Sequence, residues 1–395
     1  MNLTTASHQW ATRPADERFW TVEELAAATK KLRESAIETS VDISDLRVEP
    51  HGESDMALMG KKNIPAAMTH YAFGQLCQTA RAPARYLRTL PTKLAAENVN
   101  CGLKKAAEEG RSPRSLLLRK DSDGDTLEAR AILSEEYGRI WNTDIADRLV
   151  DLTNRGWKVP PGRPHSSKDK RWRYATTFDV LTIEGMGSGL SIEVGDKISP
   201  SGVYASDRDM FVFMINEQEI SIAGKPPLYR GFFVSNSEVG DRAFRSTLFL
   251  FQNVCGNHIV WDVENATETR IIHRGGEKEI TQRALGEMYS QLRTYTDQST
   301  EDEVAFITDI MGRRIGIDQQ DTVGRVHAKM KTILSVHQLN AAWALADDHP
   351  EDGHDGPDTI YGIVSGLTRL SQDTSHANER ETIDRAAGKV ARMEF

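Results

Sequence analysis

Cysteine is scarce in this chain, and long apolar runs are missing. Only three cysteines occur among 395 residues, far apart at positions 77, 101 and 255, so a disulfide framework is not expected. No apolar stretch approaches the roughly 20 residues that a membrane-spanning helix needs. The N-terminal segment MNLTTASHQWATRPADERFW lacks the basic-then-apolar layout of a secretion signal. We therefore expect a cytoplasmic protein that does not interact with membranes.

Motifs for nucleotides and metals are missing as well. The glycine-rich stretch GMGSGL at 185–190 has no Lys-Ser or Lys-Thr ending and no strand–loop–helix setting. It is therefore neither a P-loop nor a dinucleotide-binding fingerprint. Cys255 and His258 form a single C-x-x-H pair, whereas a structural zinc site usually takes its four ligands from two such pairs. We expect no bound metal and no cofactor.

Charge is unevenly distributed in a composition that is otherwise typical of globular proteins, 39% hydrophobic and 27% charged. The formal net charge of −9 argues against a protein covered by nucleic acid on all sides. Residues 81–120 nevertheless hold ten Lys or Arg against three Asp or Glu, and residues 151–180 hold seven against three. Such a chain can present one basic face to a polyanion. Chance clustering of charges on solvated helix faces explains the same counts equally well.

Hydrophobic periodicity predicts an α+β fold, with a central, mainly antiparallel sheet. We divide the chain into an N-terminal mixed α/β region at 1–112, a central β-rich region at 113–277 and a C-terminal helical region at 278–395. The order is helix, sheet, helix, without the βαβ alternation of a parallel sheet.

Local signals support several of these elements. Thr21 and Glu24 have the spacing of a capping box before the amphipathic run TVEELAAATKKLRESA. The stretch RSLLLRK-DSDGD-TLEARAILS predicts a β-hairpin with an Asp/Gly turn. The run WNTDIADRLVDLTNRG predicts a helix whose N-cap is Asn142 or Thr143.

The segment KDKRWRY at 168–174 is the strongest candidate for contact with nucleic acid. Lysine and arginine neutralise phosphates, and aromatic faces stack unpaired bases. In a strand, Lys170, Trp172 and Tyr174 share one face, and Arg171 and Arg173 share the other. An edge strand protected by charge would show the same pattern. The predicted nucleic-acid-binding residues are Lys168, Lys170, Arg171, Trp172, Arg173, Tyr174, Arg242 and Arg245.

Two strand-like runs end in polar clusters, SNSEVGD at 235–241 and QNVCGNH at 252–258. Polar groups beside a buried sheet are costly unless they are hydrogen-bonded. Asn, Ser and Gly form turns that satisfy their own backbone, so two turns that fasten one end of a sheet explain the pattern without a ligand. We favour this interpretation. The alternative is a ligand site formed by Asn236, Glu238, Asn257 and His258.

Four segments carry a resemblance to known proteins. They are RGFFVSNSEVGDRAF (230–244), FLFQNVCGNHIVWDV (249–263), IIHRGG (271–276) and LSEEYGRIWNTDIADRL (133–149). In these the chain resembles the phage- and plasmid-like proteins with the domain of unknown function numbered nine hundred and thirty-two. The resemblance covers most of the chain. It departs in NEQEISIAGKPPLYRG (216–231), where many members carry an Asn-Ser-His-type motif.

The resemblance implies a mobile-element protein in a bacterial host cell and assigns no activity. Together with KDKRWRY, it leads us to expect a non-catalytic protein that binds single-stranded nucleic acid, most simply DNA. DNA replication, recombination or strand annealing is the expected setting, and a homo-oligomer is compatible with it. Two alternatives stay open. One is a metal-dependent nucleic-acid enzyme that uses Asn236, Glu238, Asn257 and His258, and the other is a phage protein that binds a host protein.

Overall fold

A computed structural model of the chain has an α+β fold, as the sequence predicts. The residues that it describes are 17–51, 55–60, 64–120, 126–159, 162–165, 171–177, 179, 192–200, 202–222, 227–252, 268–350, 353–374 and 377–395.

The α-helices of the described residues lie mostly in the C-terminal part of the chain. They are α1 Val22–Glu34, α2 His70–Thr79, α3 Ala84–Leu87, α4 Thr92–Glu108, α5 Asn142–Thr153, α6 Glu277–Asp297, α7 Glu301–Gly312, α8 Gln319–Met330, α9 Val336–Asp348, α10 Ile360–Asp373 and α11 Ala377–Ala391. None of the helices in this described part is long and apolar enough to span a membrane.

The strands of the described residues form three sheets. They are β1 Ala36–Val41, β2 Arg47–His51, β3 Asp55–Met59, β4 Pro65–Met68, β5 Arg114–Lys120, β6 Leu127–Ser134, β7 Trp157–Lys158, β8 Arg163–Pro164, β9 Arg173–Tyr174, β10 Lys197–Ser199, β11 Val203–Ala205, β12 Met210–Ile220, β13 Leu228–Asn236, β14 Phe244–Gln252 and β15 Thr269–Ile271.

The N-terminal sheet has the strand order β1-β5-β6-β4-β3-β2. Its pairs are antiparallel except for β4 with β6, which run parallel. Helices α2 and α4 bury a core against it that includes Phe73, Leu76 and Val99. The predicted hairpin is present as β5 and β6, but its strands are the second and third of this sheet. Because β5 pairs with β1, the N-terminal unit extends to Ser134 and crosses the predicted boundary at residue 112.

The central sheet is antiparallel, in the order β11-β12-β13-β14-β15, and β7 also pairs with β12. One face shares a single core with α1, α5 and the C-terminal helices. The other face carries the aromatic side chains of Phe211, Phe213 and Phe233, with the last two rings stacked at 4.6 Å. Strand β13 is buried at every position, as expected for a strand covered on both faces.

A buried arginine links the central sheet to the helical region. Arg230 of β13 pairs with Glu303 of α7 at 2.8 Å, and their side chains are only 3% and 1% exposed. The same guanidinium donates to the Thr296 and Gln298 carbonyls at the end of α6. Burial raises the pKa of Glu303, although hydrogen bonds from Arg230 oppose the shift. The pair therefore satisfies both the buried carboxylate and the last carbonyls of a helix.

The helix signals of the sequence are only partly realised. The Thr21 hydroxyl accepts from the Glu24 N–H at 3.2 Å, as predicted. The Glu24 carboxylate, however, accepts from the N–H of Trp20, so the reciprocal half of the capping box falls one residue earlier. The prediction that Asn142 or Thr143 caps α5 is wrong, because the helix begins at Asn142 itself, after Trp141, which makes no side-chain cap.

Candidate nucleic-acid interface

Residues 235–239 of the polar cluster SNSEVGD are buried where β13 ends. The Glu238 side chain, 3% exposed, pairs with Arg130 of β6 at 3.2 Å. Its second oxygen accepts a hydrogen bond of 2.8 Å from the backbone N–H of Asn142, the first residue of α5. A carboxylate is favourable there because unpaired N–H groups give a helix start partial positive charge. One side chain thus joins the N-terminal sheet, the central sheet and α5.

Asn236 and Ser237 are held in the same way. The Asn236 amide donates to the Ile140 carbonyl and to the Asn142 side-chain oxygen, both at 2.8 Å. The Ser237 hydroxyl donates to the Arg208 carbonyl at 2.7 Å. All of these acceptors are protein groups. The first polar cluster therefore has the geometry of a structural fastening, the interpretation that we favour from the sequence.

Only two of the four residues of the alternative ligand site, Asn236 and Glu238, lie in the described part of the chain. Asn236 and Glu238 are buried and engaged. Asn257 and His258 lie outside the described residues. Among the residues that the structure describes, no group of three or more His, Cys, Asp or Glu is placed to hold a metal ion.

An exposed aromatic platform lies on the small sheet, whose strand order is β8-β10-β9. Trp172 and Tyr174 are 40% and 59% exposed. Their rings meet edge to face, with centroids 5.3 Å apart and planes at 79°. The ammonium of Lys197, on β10, lies 4.0 Å from the centroid of the Trp172 ring. The His165 ring adds a tilted contact to Trp172 at 5.9 Å. The predicted sharing of one face by Trp172 and Tyr174 is confirmed.

Arg171 and Arg173, between those aromatic residues, have partners within the protein. Arg171 pairs with Glu24 at 3.0 Å and also donates to the Arg18 carbonyl. Arg173 makes two hydrogen bonds to Asp179, of 2.5 and 2.6 Å. Burial alone would raise the pKa of Asp179, but hydrogen bonds from Arg173 and from neighbouring donors outweigh it and hold the pKa at about 2. These two arginines therefore anchor the strand rather than offer free cations.

Arg242 and Arg245 lie in a concave site of about 470 Å³, which Arg270 also lines. Glu381 of α11 accepts from Arg242 at 3.2 Å and from Arg245 at 2.8 Å. Arg245 stands opposite Arg270 in the β14–β15 register, and such a like-charge pair is destabilising without counter-charges. Arg270 is exposed and makes no ion pair with a described residue. This site shares no lining residue with the aromatic platform.

The Tyr137 and His273 rings also line this concave site, stacked with centroids 5.0 Å apart. Burial lowers the pKa of His273 to about 4, so its ring is neutral at pH 7. Its Nδ1 lies 3.1 Å from the Gly138 carbonyl and, since a carbonyl only accepts, carries the proton. The Tyr137 hydroxyl donates to the Ser237 carbonyl at 2.7 Å. Both rings therefore pack beside Asn236, Ser237 and Glu238, which we call the fastening cluster.

Of the eight predicted nucleic-acid-binding residues, the structure brings Trp172 and Tyr174 together as free surface. Lys168 and Lys170 lie outside the described residues. The sequence analysis did not predict Lys197 or His165 as part of this surface. Lys197 belongs to β10, and His165 directly follows β8. The pairing of β9 with β10 brings Lys197 opposite Tyr174, and no local pattern in the sequence signals that register.

Protein-family models, curated protein sequences and solved structures give no match to this chain.

Proposed function

We propose that the chain binds single-stranded nucleic acid by stacking bases on the Trp172–Tyr174 pair. The observation that supports it best is the exposure of two adjacent rings beside a lysine ammonium. Two adjacent exposed rings of this kind are the feature on which single-strand-binding proteins stack bases. Stacking on an aromatic side chain is sequence-tolerant because every base has a π face.

A nearby cation supplies the phosphate contact in this proposal. Lys197 is exposed and already lies over the Trp172 ring. A base that stacks on the indole can displace the ammonium towards the flanking phosphate, where it releases a condensed counterion. In the sequence Lys168 and Lys170 precede Trp172 by four and two residues, so the same segment carries additional positive charge.

In this proposal the four arginines predicted to bind nucleic acid have structural roles. Arg171 and Arg173 position the platform through Glu24 and Asp179. Arg242 and Arg245 share Glu381, so we do not count them as primary phosphate contacts. Participation in DNA replication, recombination or strand annealing is the part of the proposal that depends on the family resemblance alone.

A catalytic alternative finds less support. An enzyme based on the polar cluster needs an accessible acid or base, and Glu238 is buried against Arg130. A charge in that position stabilises the fold and cannot reach a nucleic-acid substrate without unfolding the start of α5.

The test measures fluorescence anisotropy of a labelled oligothymidylate at low salt. We expect binding by the wild type, with affinity that falls steeply as salt rises. Trp172→Ala combined with Tyr174→Ala removes stacking worth about 1–3 kcal/mol per base, so affinity falls at least about five-fold. Lys197→Gln should reduce the slope of log K against log salt by about 0.7.

The matched control is Tyr86→Ala, which removes an equally exposed tyrosine from α3, 58% exposed. This variant should bind as the wild type does. The proposal is wrong if the wild type shows no binding at low salt. It is also wrong if the double variant, folded by circular dichroism, keeps the affinity of the Tyr86→Ala control.

A further inference from the structure

A cavity of about 420 Å³ lies in the N-terminal region, between strands β2, β3, β4 and β6 and the segment from α2 to α4. Ten of its fifteen lining residues are apolar, and the five polar ones are His51, Asp55, Arg88, Thr92 and Thr126. The apolar lining residues that surround the single arginine include Met56, Met68, Phe73, Leu87, Leu90 and Leu127. This size and character are typical of small-molecule sites, which combine apolar walls with a few polar groups that orient the ligand.

Arg88 is the cation of this cavity, and it lacks a counter-charge. One of its nitrogens, Nη2, donates to the His70 carbonyl at 2.9 Å, and the guanidinium lies 5.1 Å from the centroid of the Phe73 ring. Its Nε is buried and makes no hydrogen bond with any described residue. No carboxylate of the described chain forms an ion pair with it, in contrast to Arg130 and Arg230.

The surroundings of Arg88 do not neutralise it either. Burial lowers the pKa of Arg88, and the nearby Cys77 thiol opposes this shift. Burial in turn raises the pKa of the Cys77 thiol to about 11, so this group is neutral at pH 7. Asp55 is the acid among the lining residues, but it is exposed and stands opposite His51 in the β2–β3 register. Water screens a charge in that position.

A partly buried cation without a carboxylate is costly, and an anionic ligand removes that cost. Arginine is the side chain that best matches a carboxylate, through two parallel hydrogen bonds. The apolar walls require the rest of the ligand to be hydrocarbon, and the Met and Leu side chains adapt to a flexible aliphatic chain. We propose that this cavity binds a medium-chain aliphatic carboxylate, with its carboxylate on Arg88 and its chain against the apolar lining.

The experiment uses the full chain and two related fluorescent probes. Anilinonaphthalene sulfonate carries an anionic group on an apolar ring system, and phenylnaphthylamine is the same ring system without the charge. We expect decanoate to displace the anionic probe from the wild type and decanol to displace it poorly. Because a hydrogen bond to a charged group is a strong one, Arg88→Gln should weaken anionic-probe binding about ten-fold or more and leave the neutral probe unchanged.

Arg85→Gln is the matched control, since it removes an exposed arginine from α3, the short helix that Arg88 follows as its C-cap residue. This variant should keep wild-type affinity for both probes. A folding defect of Arg88→Gln is separated by a second measurement on the wild type alone, in which decanoate should raise Tm more than decanol does. The proposal fails if decanoate neither displaces the probe nor raises Tm. It also fails if Arg88→Gln and Arg85→Gln bind the anionic probe equally well.

Discussion

Replacement of Glu238 by glutamine tests the fastening cluster most directly. The change keeps the shape of the side chain and one oxygen that can accept from the Asn142 N–H. It removes the negative charge that faces Arg130, whose side chain is 1% exposed. The guanidinium also donates to the Asp207 carbonyl, but a carbonyl dipole replaces only part of a full counter-charge. An uncompensated buried cation therefore remains.

Removing one member of a buried ion pair typically costs about 3–5 kcal/mol. Because glutamine keeps the hydrogen bond to α5, we expect Glu238→Gln to lie near about 3 kcal/mol. Glu238→Ala also leaves the Asn142 N–H without its acceptor, which adds about 1 kcal/mol or more. The order of stability should therefore be wild type, Glu238→Gln, Glu238→Ala.

Urea unfolding followed by circular dichroism measures this effect. With a slope of about 2–3 kcal/mol per molar urea, the midpoint of Glu238→Gln should fall by about 1 M. Glu217→Gln is the control, since Glu217 pairs with Lys158 on the surface and both side chains are nearly half exposed. That pair is worth about 0–1 kcal/mol. Equal midpoints for Glu238→Gln and Glu217→Gln would refute the argument and return the Glu238 carboxylate to the list of candidate functional groups.

Three further outcomes follow from buried positions. Gly231→Ala places a Cβ 2.2 Å from the Phe249 ring and should cost about 1–3 kcal/mol in urea unfolding, whereas Gly286→Ala, in open space within α6, should be neutral or stabilising. Burial raises the pKa of Asp384 to about 6. The folded state therefore holds a proton on Asp384 that the unfolded state releases, and wild-type stability falls as pH rises from about 4 to 6. Asp384→Asn should remove this fall when Tm is measured against pH. Burial lowers the pKa of His273 to about 4, so the stability that its neutral ring contributes is lost as pH falls from about 6.5 to 4. His273→Phe should abolish this decrease of Tm towards low pH.

Local structure could be predicted from the sequence because its causes are local. The Thr21 cap, the hairpin of β5 and β6 and the helical C-terminal region all follow from periodicity and from residues within one or two turns. The α+β class follows from their order. The alternation in KDKRWRY likewise placed Trp172 and Tyr174 on one face, because a strand has a period of two.

The rest depends on contacts between distant parts of the chain. The start of α5 takes its acceptor from Glu238, so the polar residues nearby in sequence, Asn142 and Thr143, gave the wrong cap. The parallel pairing of β4 with β6 and the approach of Lys197 to Trp172 leave no periodic signal either. Charge counts also mislead when neighbouring acids come from elsewhere, as Arg171 shows with Glu24.

The Arg230–Glu303 pair makes the helical region indispensable to the sheet. A fragment that stops before α6 would keep β13 with a guanidinium in its middle and lose both the carboxylate and the helix-end carbonyls that solvate it. Water would then have to enter the interior, or the Arg230 guanidinium would remain buried without a partner. Expression of residues up to 276 should therefore yield an aggregating product, because the fragment loses both this ion pair and the core that the sheet shares with the C-terminal helices.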